Sequence, residues 1–248
     1  MLDMQIPTRK AGLGLVALAL AFVSAPAHAG LVLFTGADDG AGSLATAPNS
    51  TAAAANFDAA VAALGIENTI TFESSPLGTF TSLTPESGVT LTGANVNNND
   101  QSVVDTTACT NALCGYNTTP GGSKFLQLFG GTATFSFAEG TDAFGAYLTG
   151  VQNLSETITF SDGTNQSVDI PNPGFQGGTT FVGFTDADKS IASITINVNN
   201  DIVGVDDVRH DPGRVPEPTS LALLGSALAG LGLVRRCKRT LALKPIWI

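Results

Sequence analysis

The chain has 248 residues, 21 Asp and Glu against 11 Lys and Arg, a net charge of −10 and 43% hydrophobic residues. Such acidity gives no general attraction for phosphate backbones, which excludes ordinary nucleic-acid binding, and the hydrophobic content is that of a folded chain. The length fits one sizeable domain or two small ones. The charge is uneven: residues 30–213 keep only Lys124, Lys189 and Arg209 against nineteen acidic residues, and both chain ends are basic.

Residues 1–29 read as a signal peptide. Arg9 and Lys10 precede an apolar run over 11–23 that is short for a membrane span, and Ala27-His28-Ala29 supplies the small-x-small pattern, so cleavage is expected between Ala29 and Gly30. The segment 37–49 reads as a flexible lead into the body.

One helix is expected over 52–64, where four alanines precede Phe57, Val61 and Leu64 on a single face. Ser50 or Thr51 is placed to cap it and Gly65 to end it. Its expected role is a plug at the sandwich edge.

The rest of the body, 30–213, holds 23 Gly and 15 Asn, residues suited to the positive-φ positions of tight turns. Period-two alternation marks strands over 132–137, 157–160 and 193–198; further strands are expected over 68–73, 88–92, 124–129, 143–148, 166–170, 179–184 and 202–209. Spacings this short leave no room for crossover helices. The expected fold is therefore all-β: one antiparallel, jelly-roll-like β-sandwich with a single short helix.

Cys109 and Cys114 lie close together in a polar loop, as a disulfide in an oxidising compartment requires, and the two histidines, His28 and His210, are too far off in sequence to complete a zinc site. Cys237 is left over in the basic tail. No hydrolase constellation stands out: the mature body has one histidine, His210, at the edge of the linker to the tail, and no Gly-x-Ser-x-Gly elbow. The acidic residues leave a carboxylate-based glycan-active enzyme open without marking one. For sugar platforms, Trp247 lies in the tail and the body offers only Tyr116 and Tyr147 beside phenylalanines that alternate as core. Asn97-Asn98-Asn99-Asp100 reads as a turn and Asp186-Ala187-Asp188 as an exposed hairpin connection.

The C-terminal part, 214–248, opens with Pro216-Glu217-Pro218, whose prolines keep the chain extended. An apolar stretch follows to Val234; its sixteen residues from Thr219 reach about 24 Å as a helix, a little short of a hydrocarbon core. Arg235-Arg236-Cys237-Lys238-Arg239 would hold its end on the cytoplasmic side. This order of proline tripeptide, transmembrane helix and Arg-rich cluster resembles a PEP-CTERM sorting signal of exported proteins in Gram-negative bacteria. The resemblance implies passage through the inner membrane and cutting near Pro216-Glu217-Pro218 by an exosortase-like transpeptidase. The chain departs from that pattern after the basic cluster, where residues 240–248 add a second apolar patch.

The body also resembles the lectin-like or laminin-G-like jelly roll that such proteins often carry, through Thr69-Ile70-Thr71-Phe72-Glu73, Asp142-Ala143-Phe144-Gly145-Ala146-Tyr147, Phe181-Val182-Gly183-Phe184 and Val203-Gly204-Val205-Asp206-Asp207-Val208. In that family an acid of an early strand meets acids of the last one, which points to Glu73 with Asp206 or Asp207 as ligands of a calcium ion. Calcium takes six to eight hard oxygens, and this body is rich in them. Strand alternation places Asp206 and Asp207 on opposite faces, so one suffices. The expected function is that of an exported, non-enzymatic cell-envelope or extracellular-matrix protein associated with exopolysaccharide. The alternative is a calcium-dependent carbohydrate-binding module.

Overall fold

Among the described residues, alternation over the body becomes twelve antiparallel strands: β1 (Val32–Asp39), β2 (Asn68–Ile70), β3 (Gly78–Phe80), β4 (Ser82–Glu86), β5 (Val89–Ala94), β6 (Gln101–Val104), β7 (Phe125–Thr141), β8 (Ala143–Thr149), β9 (Thr157–Ser161), β10 (Gln166–Asp169), β11 (Gly178–Thr185) and β12 (Ile191–His210). The computed structural model describes residues 30–211 except 66, 98, 153–156, 162–165 and 187–188. The expected signal helix, the cleavage point after Ala29 and the sorting tail lie outside the described residues.

Two strands run through both layers. The first half of β7 and the second half of β12 pair with each other within the order β1-β11-β8-β12-β7-β6-β3, with β2 alongside the end of β12. Their other halves pair again within β10-β9-β12-β7-β5-β4. The bend falls at Gly130 and Gly131, both at positive φ, and across from them at Asn199 (φ +48), where the register shifts between Asn197 and Ile202. A Cβ on Gly131 would run into the Ala94 carbonyl, so this corner needs glycine. The expected strand pairs 124–129 with 132–137, and 193–198 with 202–209, are thus halves of β7 and β12. A bulge bends a strand without ending it.

The layers face each other across one core. Phe144 of β8 meets Phe135 and Phe137 of β7 at 5.8 and 6.5 Å and stacks on Phe184 of β11 at 5.8 Å. Leu91, Leu126, Leu128, Ile194, Ile196, Val203 and Val205 fill the same fully buried cluster. Each such aliphatic or aromatic side chain contributes about 2 kcal/mol by leaving water.

The helix differs from expectation at its start and in its place. Helix α1 (Pro48–Leu64) begins earlier than residue 52, with Pro48 in the first turn, where its missing N–H costs nothing. The expected caps Ser50 and Thr51 are inside it. The cap comes instead from β1: Asp38 Oδ2 accepts from Ser50 N (2.8 Å) and Ser50 Oγ (2.7 Å), and its Oδ1 from Asn49 N (3.0 Å). Burial works to raise the Asp38 pKa, but these hydrogen bonds outweigh it and hold the carboxyl below its usual value. Residues 37–49 are therefore structured, as the end of β1, a 3-10 turn (Leu44–Thr46) and the start of α1.

Nor does α1 plug an edge. It lies on the outer face of the first layer, where Phe57 and Val61 join Ala143, Tyr147 and Phe181 in a second buried cluster. Gly145 and Gly183 make the seat for Phe57: a Cβ on either would come within 3.1 or 2.7 Å of its ring. Asp186, expected in an exposed connection, is buried.

Candidate functional site

The expected acids do come together. After β2 the chain makes a turn closed by Ser75 N on Phe72 O (2.9 Å), with Phe72 at φ +60, and this turn presents Glu73. Glu73 Oε1 accepts from Ser123 N (2.9 Å), Lys124 N (2.9 Å) and Asn117 Nδ2 (3.0 Å). Lys124 Nζ returns two bonds to the carbonyls of Glu73 (3.0 Å) and Ser75 (2.8 Å). A Cβ at Gly122 would collide with the Glu73 carboxylate, so the loop over 115–124 closes on it only with glycine there.

The same loop meets the last strand. Asp206 Oδ2 accepts from Thr118 N (2.7 Å), Asn117 Nδ2 (3.1 Å), Thr118 Oγ1 (3.2 Å), Thr119 N (3.2 Å) and Thr119 Oγ1 (3.3 Å). Asp207 accepts from Thr119 Oγ1 at Oδ1 (2.7 Å) and from Thr118 Oγ1 at Oδ2 (2.9 Å). Simple alternation would have put these two aspartates on opposite faces. Instead Asp207 sits at φ +45 and the β12–β8 register shifts between Asp206 and Arg209, which turns both carboxylates to one loop. Arg209 takes other partners: its guanidinium lies over the Tyr147 and Phe181 rings at 5.2 and 5.4 Å, with Nε 3.3 Å from Asp58 and 3.5 Å from Glu67.

Asp206 is fully buried and its Oδ1 has no hydrogen-bond partner. Burial first, then the charge of Asp207, push its carboxyl up to about 7 against the opposing pull of the Thr118, Asp207 and Thr119 amides. An orphaned carboxylate oxygen is satisfied by a proton, a cation or a buried water. Oxygen chemistry of this kind suits calcium. Against this, Asp206 Oδ2 and both oxygens of Asp207 are already occupied by N–H and O–H donors, and no group of three His, Cys, Asp or Glu among the described residues is arranged to hold a metal. The three acids share a neighbourhood bridged by Asn117 without forming a closed cage. Asn117, Thr118 and Thr119 escaped sequence reading because nothing in Asn-Thr-Thr distinguishes a ligating loop from an ordinary turn.

Other expected residues fall as follows. Cys109 and Cys114 form a disulfide around a single-turn helix, α2 (Asn111–Cys114). Tyr116 and Tyr147 are buried and offer no platform to a sugar; burial pushes the Tyr116 hydroxyl up to about 12, partly offset by its short hydrogen bond with Thr179 Oγ1. His210 ends β12, buried, with its ring 5.1 Å from Phe137 and Nε2 3.5 Å from Glu86 Oε2.

The tail supplies what the body does not. Residues 214–236 match the PEP-CTERM protein-sorting motif. The match holds Pro216, Glu217, Pro218, Arg235 and Arg236 and leaves the body outside it. No curated protein matches the chain. Among solved structures, the K2 cleaved adhesin domain of Lys-gingipain is similar at 16% identity, over 59% of this chain and 98% of that one, with a TM-score of 0.38. A family 29 carbohydrate-binding module has 12% identity, 60% and 94% coverage and a TM-score of 0.31. A mutant of that module complexed with mannohexaose gives 12%, 60% and 92%, with a TM-score of 0.32. Superposition this loose transfers neither ligand nor activity.

Proposed function

We propose that the chain is an exported, non-enzymatic β-sandwich protein, jelly-roll-like in its winding, that an exosortase-like transpeptidase processes at its tail. It works at the cell envelope, the cell surface or in the extracellular matrix, associated with extracellular polysaccharide. The match over 214–236 carries this reading. Support comes from the Cys109–Cys114 disulfide, which suits an oxidising compartment, and from the acidic body, which stays soluble outside the cell. In the producing cell, Glu217→Ala is expected to leave the protein in the inner membrane with its tail intact. Wild-type release of that variant would overturn the reading.

A second reading, a calcium-dependent carbohydrate-binding module, is favoured by the orphaned Asp206 Oδ1. Calcium drawn to Asp206 Oδ1, with Glu73 and Asp207 as further ligands, would relieve the repulsion of Asp207 on Asp206, and the loop donors that now occupy these carboxylates would have to give way. At a hundredfold excess over its Kd such an ion stabilises the native state by about 2.7 kcal/mol. A melting temperature indifferent to millimolar calcium, in the wild type and in Glu73→Ala alike, would rule the ion out.

A further inference from the structure

Six large apolar side chains are exposed among the described residues, and five of them, including Leu77 and Phe129, keep about half of their surface covered. Phe175 is different: it is 90% exposed. A lone exposed apolar residue is ordinary; this ring is informative because two amide-lined clefts open beside it.

The loop is rigid for stated reasons. Between β10 and β11, Gly174 N donates to Asn172 Oδ1 (2.8 Å), Gly177 N to Gly174 O (3.2 Å), and Gly40 N to Gly177 O (2.8 Å). Thr180 Oγ1 holds the Pro171 carbonyl at 2.8 Å. Gly177 presses on the α2 backbone so closely that a Cβ would run into the Ala112 carbonyl, and one on Gly178 would strike the Asp38 carbonyl. α2 is itself tied by the Cys109–Cys114 disulfide. Phe175 is thus presented by a braced turn.

Phe175 lines two clefts. One, of about 110 Å³, is bounded by Gln152, Asn172 and Gly174; the other, of about 380 Å³, by Thr110, Leu113 and Gln176 among others. The side chains that line both clefts with Phe175 are amides, a hydroxyl and apolar groups. Gln152 is held in place by Nε2 on the Leu113 carbonyl (2.6 Å) and by its own N–H on Asp201 Oδ2 (2.6 Å). Asn172 spends its oxygen on the turn, and its Nδ2 is buried with no hydrogen-bond partner. That donor lacks an acceptor.

We propose that this end of the sandwich binds a neutral oligosaccharide chain, one pyranose ring stacked on Phe175 and the flanking units lying in the two clefts with hydroxyls on Gln152 and Gln176. The C–H face of a pyranose is weakly positive and flat, which complements the negative face of the phenyl ring. Its hydroxyls both give and take hydrogen bonds, as the amides of Gln152 and Gln176 require. The charge of the body argues for a neutral sugar, since nineteen acids against three bases repel uronates and phosphates. Two clefts about one ring favour a chain over a monosaccharide. The inference rests on the polysaccharide association proposed above, naming its sugar class and site, and does not require calcium.

The test is affinity electrophoresis of the full-length protein in mild detergent and EDTA, in gels containing β-glucan, galactomannan or dextran, with alginate as the anionic comparison. At least one neutral polymer is expected to retard the wild type more than alginate does. Phe175→Ala should weaken that retardation roughly tenfold, and Phe175→Trp should preserve it. Gln176 is exposed beside Phe175, so Gln176→Ala should bind several-fold more weakly at an unchanged melting temperature. Retardation by no neutral polymer, or equal retardation of the wild type and Phe175→Ala, overturns the proposal. So does binding that appears only with calcium and ignores Phe175, or a Phe175→Ala effect confined to self-association in sedimentation, which would make the ring a protein contact. Release of the protein from cells reads the export reading separately.

Discussion

Asp206 brings a carboxylate to a place where water cannot reach it and gives only one of its two oxygens a partner. Its folded pKa, about 7, is raised above the unfolded value, so the folded state holds a proton that the unfolded chain releases. Its contribution to stability is therefore full below about pH 4, declines as pH rises towards 7, and levels off above that. In EDTA, urea melts of the wild type should show this decline, and Asp206→Asn should flatten it while keeping an acceptor for Thr118 and Thr119. Arg209 is the other residue with much at stake. Its guanidinium covers two rings and faces Asp58 and Glu67, whose pKa values burial raises and Arg209 lowers. Arg209→Ala removes the ring cover and the partner of two partly exposed acids, and should cost about 1–2 kcal/mol in urea denaturation once solvent screening of Asp58 and Glu67 is allowed for. Arg209→Lys should recover only part of it, because an ammonium cannot lie flat on both rings.

Helix α1 is an element whose place depends on what is missing beneath it. Gly145 of β8 and Gly183 of β11 leave the hollow that Phe57 fills. Gly183→Ala should destabilise by about 1–3 kcal/mol through overpacking, and Phe57→Ala by about 3–5 kcal/mol through the cavity left. In the double variant the smaller side chain relieves the clash, so the summed losses should exceed the measured one. The helix start depends on β1 in the same manner. Asp38→Ala should cost about 1–2 kcal/mol by exposing the Asn49 and Ser50 donors and the positive end of the helix dipole. As the Asp38 pKa is lowered on folding, this contribution is present at neutral pH and fades as the pH falls below the unfolded value, which acid titration of both proteins would reveal.

At the scale of the molecule, twelve strands form one hydrogen-bonded network bent through β7 and β12 into two facing layers. The Cys109–Cys114 disulfide braces one loop and closes only a short stretch of chain. Replacing both cysteines by serine should therefore lower stability by about 2 kcal/mol without unfolding the sandwich, a loss that thermal melts would measure. The whole-chain charge of −10 understates the acidity of the body, since the basic residues are concentrated at the two ends. A body so acidic should remain soluble at neutral pH and lose solubility on acidification toward its isoelectric point.

Much of this was legible in the chain itself. Period-two alternation over 132–137 and 193–198, together with Gly and Asn in quantity, determined an antiparallel β fold, because a strand with one wet face must alternate whatever its neighbours are. The tail was legible as well, since Pro216-Glu217-Pro218, an apolar stretch and an arginine cluster act in order along the chain and need no folding to be read. Resemblance named Glu73, Asp206 and Asp207 but not the loop that all three bond, because Asn117, Thr118 and Thr119 matter only through contacts some ninety residues away in sequence. The tertiary structure alone decided that β7 and β12 each serve two layers, that α1 covers a face rather than an edge, and that Phe175 stands clear of every core. Local sequence fixes which residues alternate. Which glycine admits a ring, which bulge turns an aspartate and which phenylalanine stays wet depend on what the rest of the chain places opposite them.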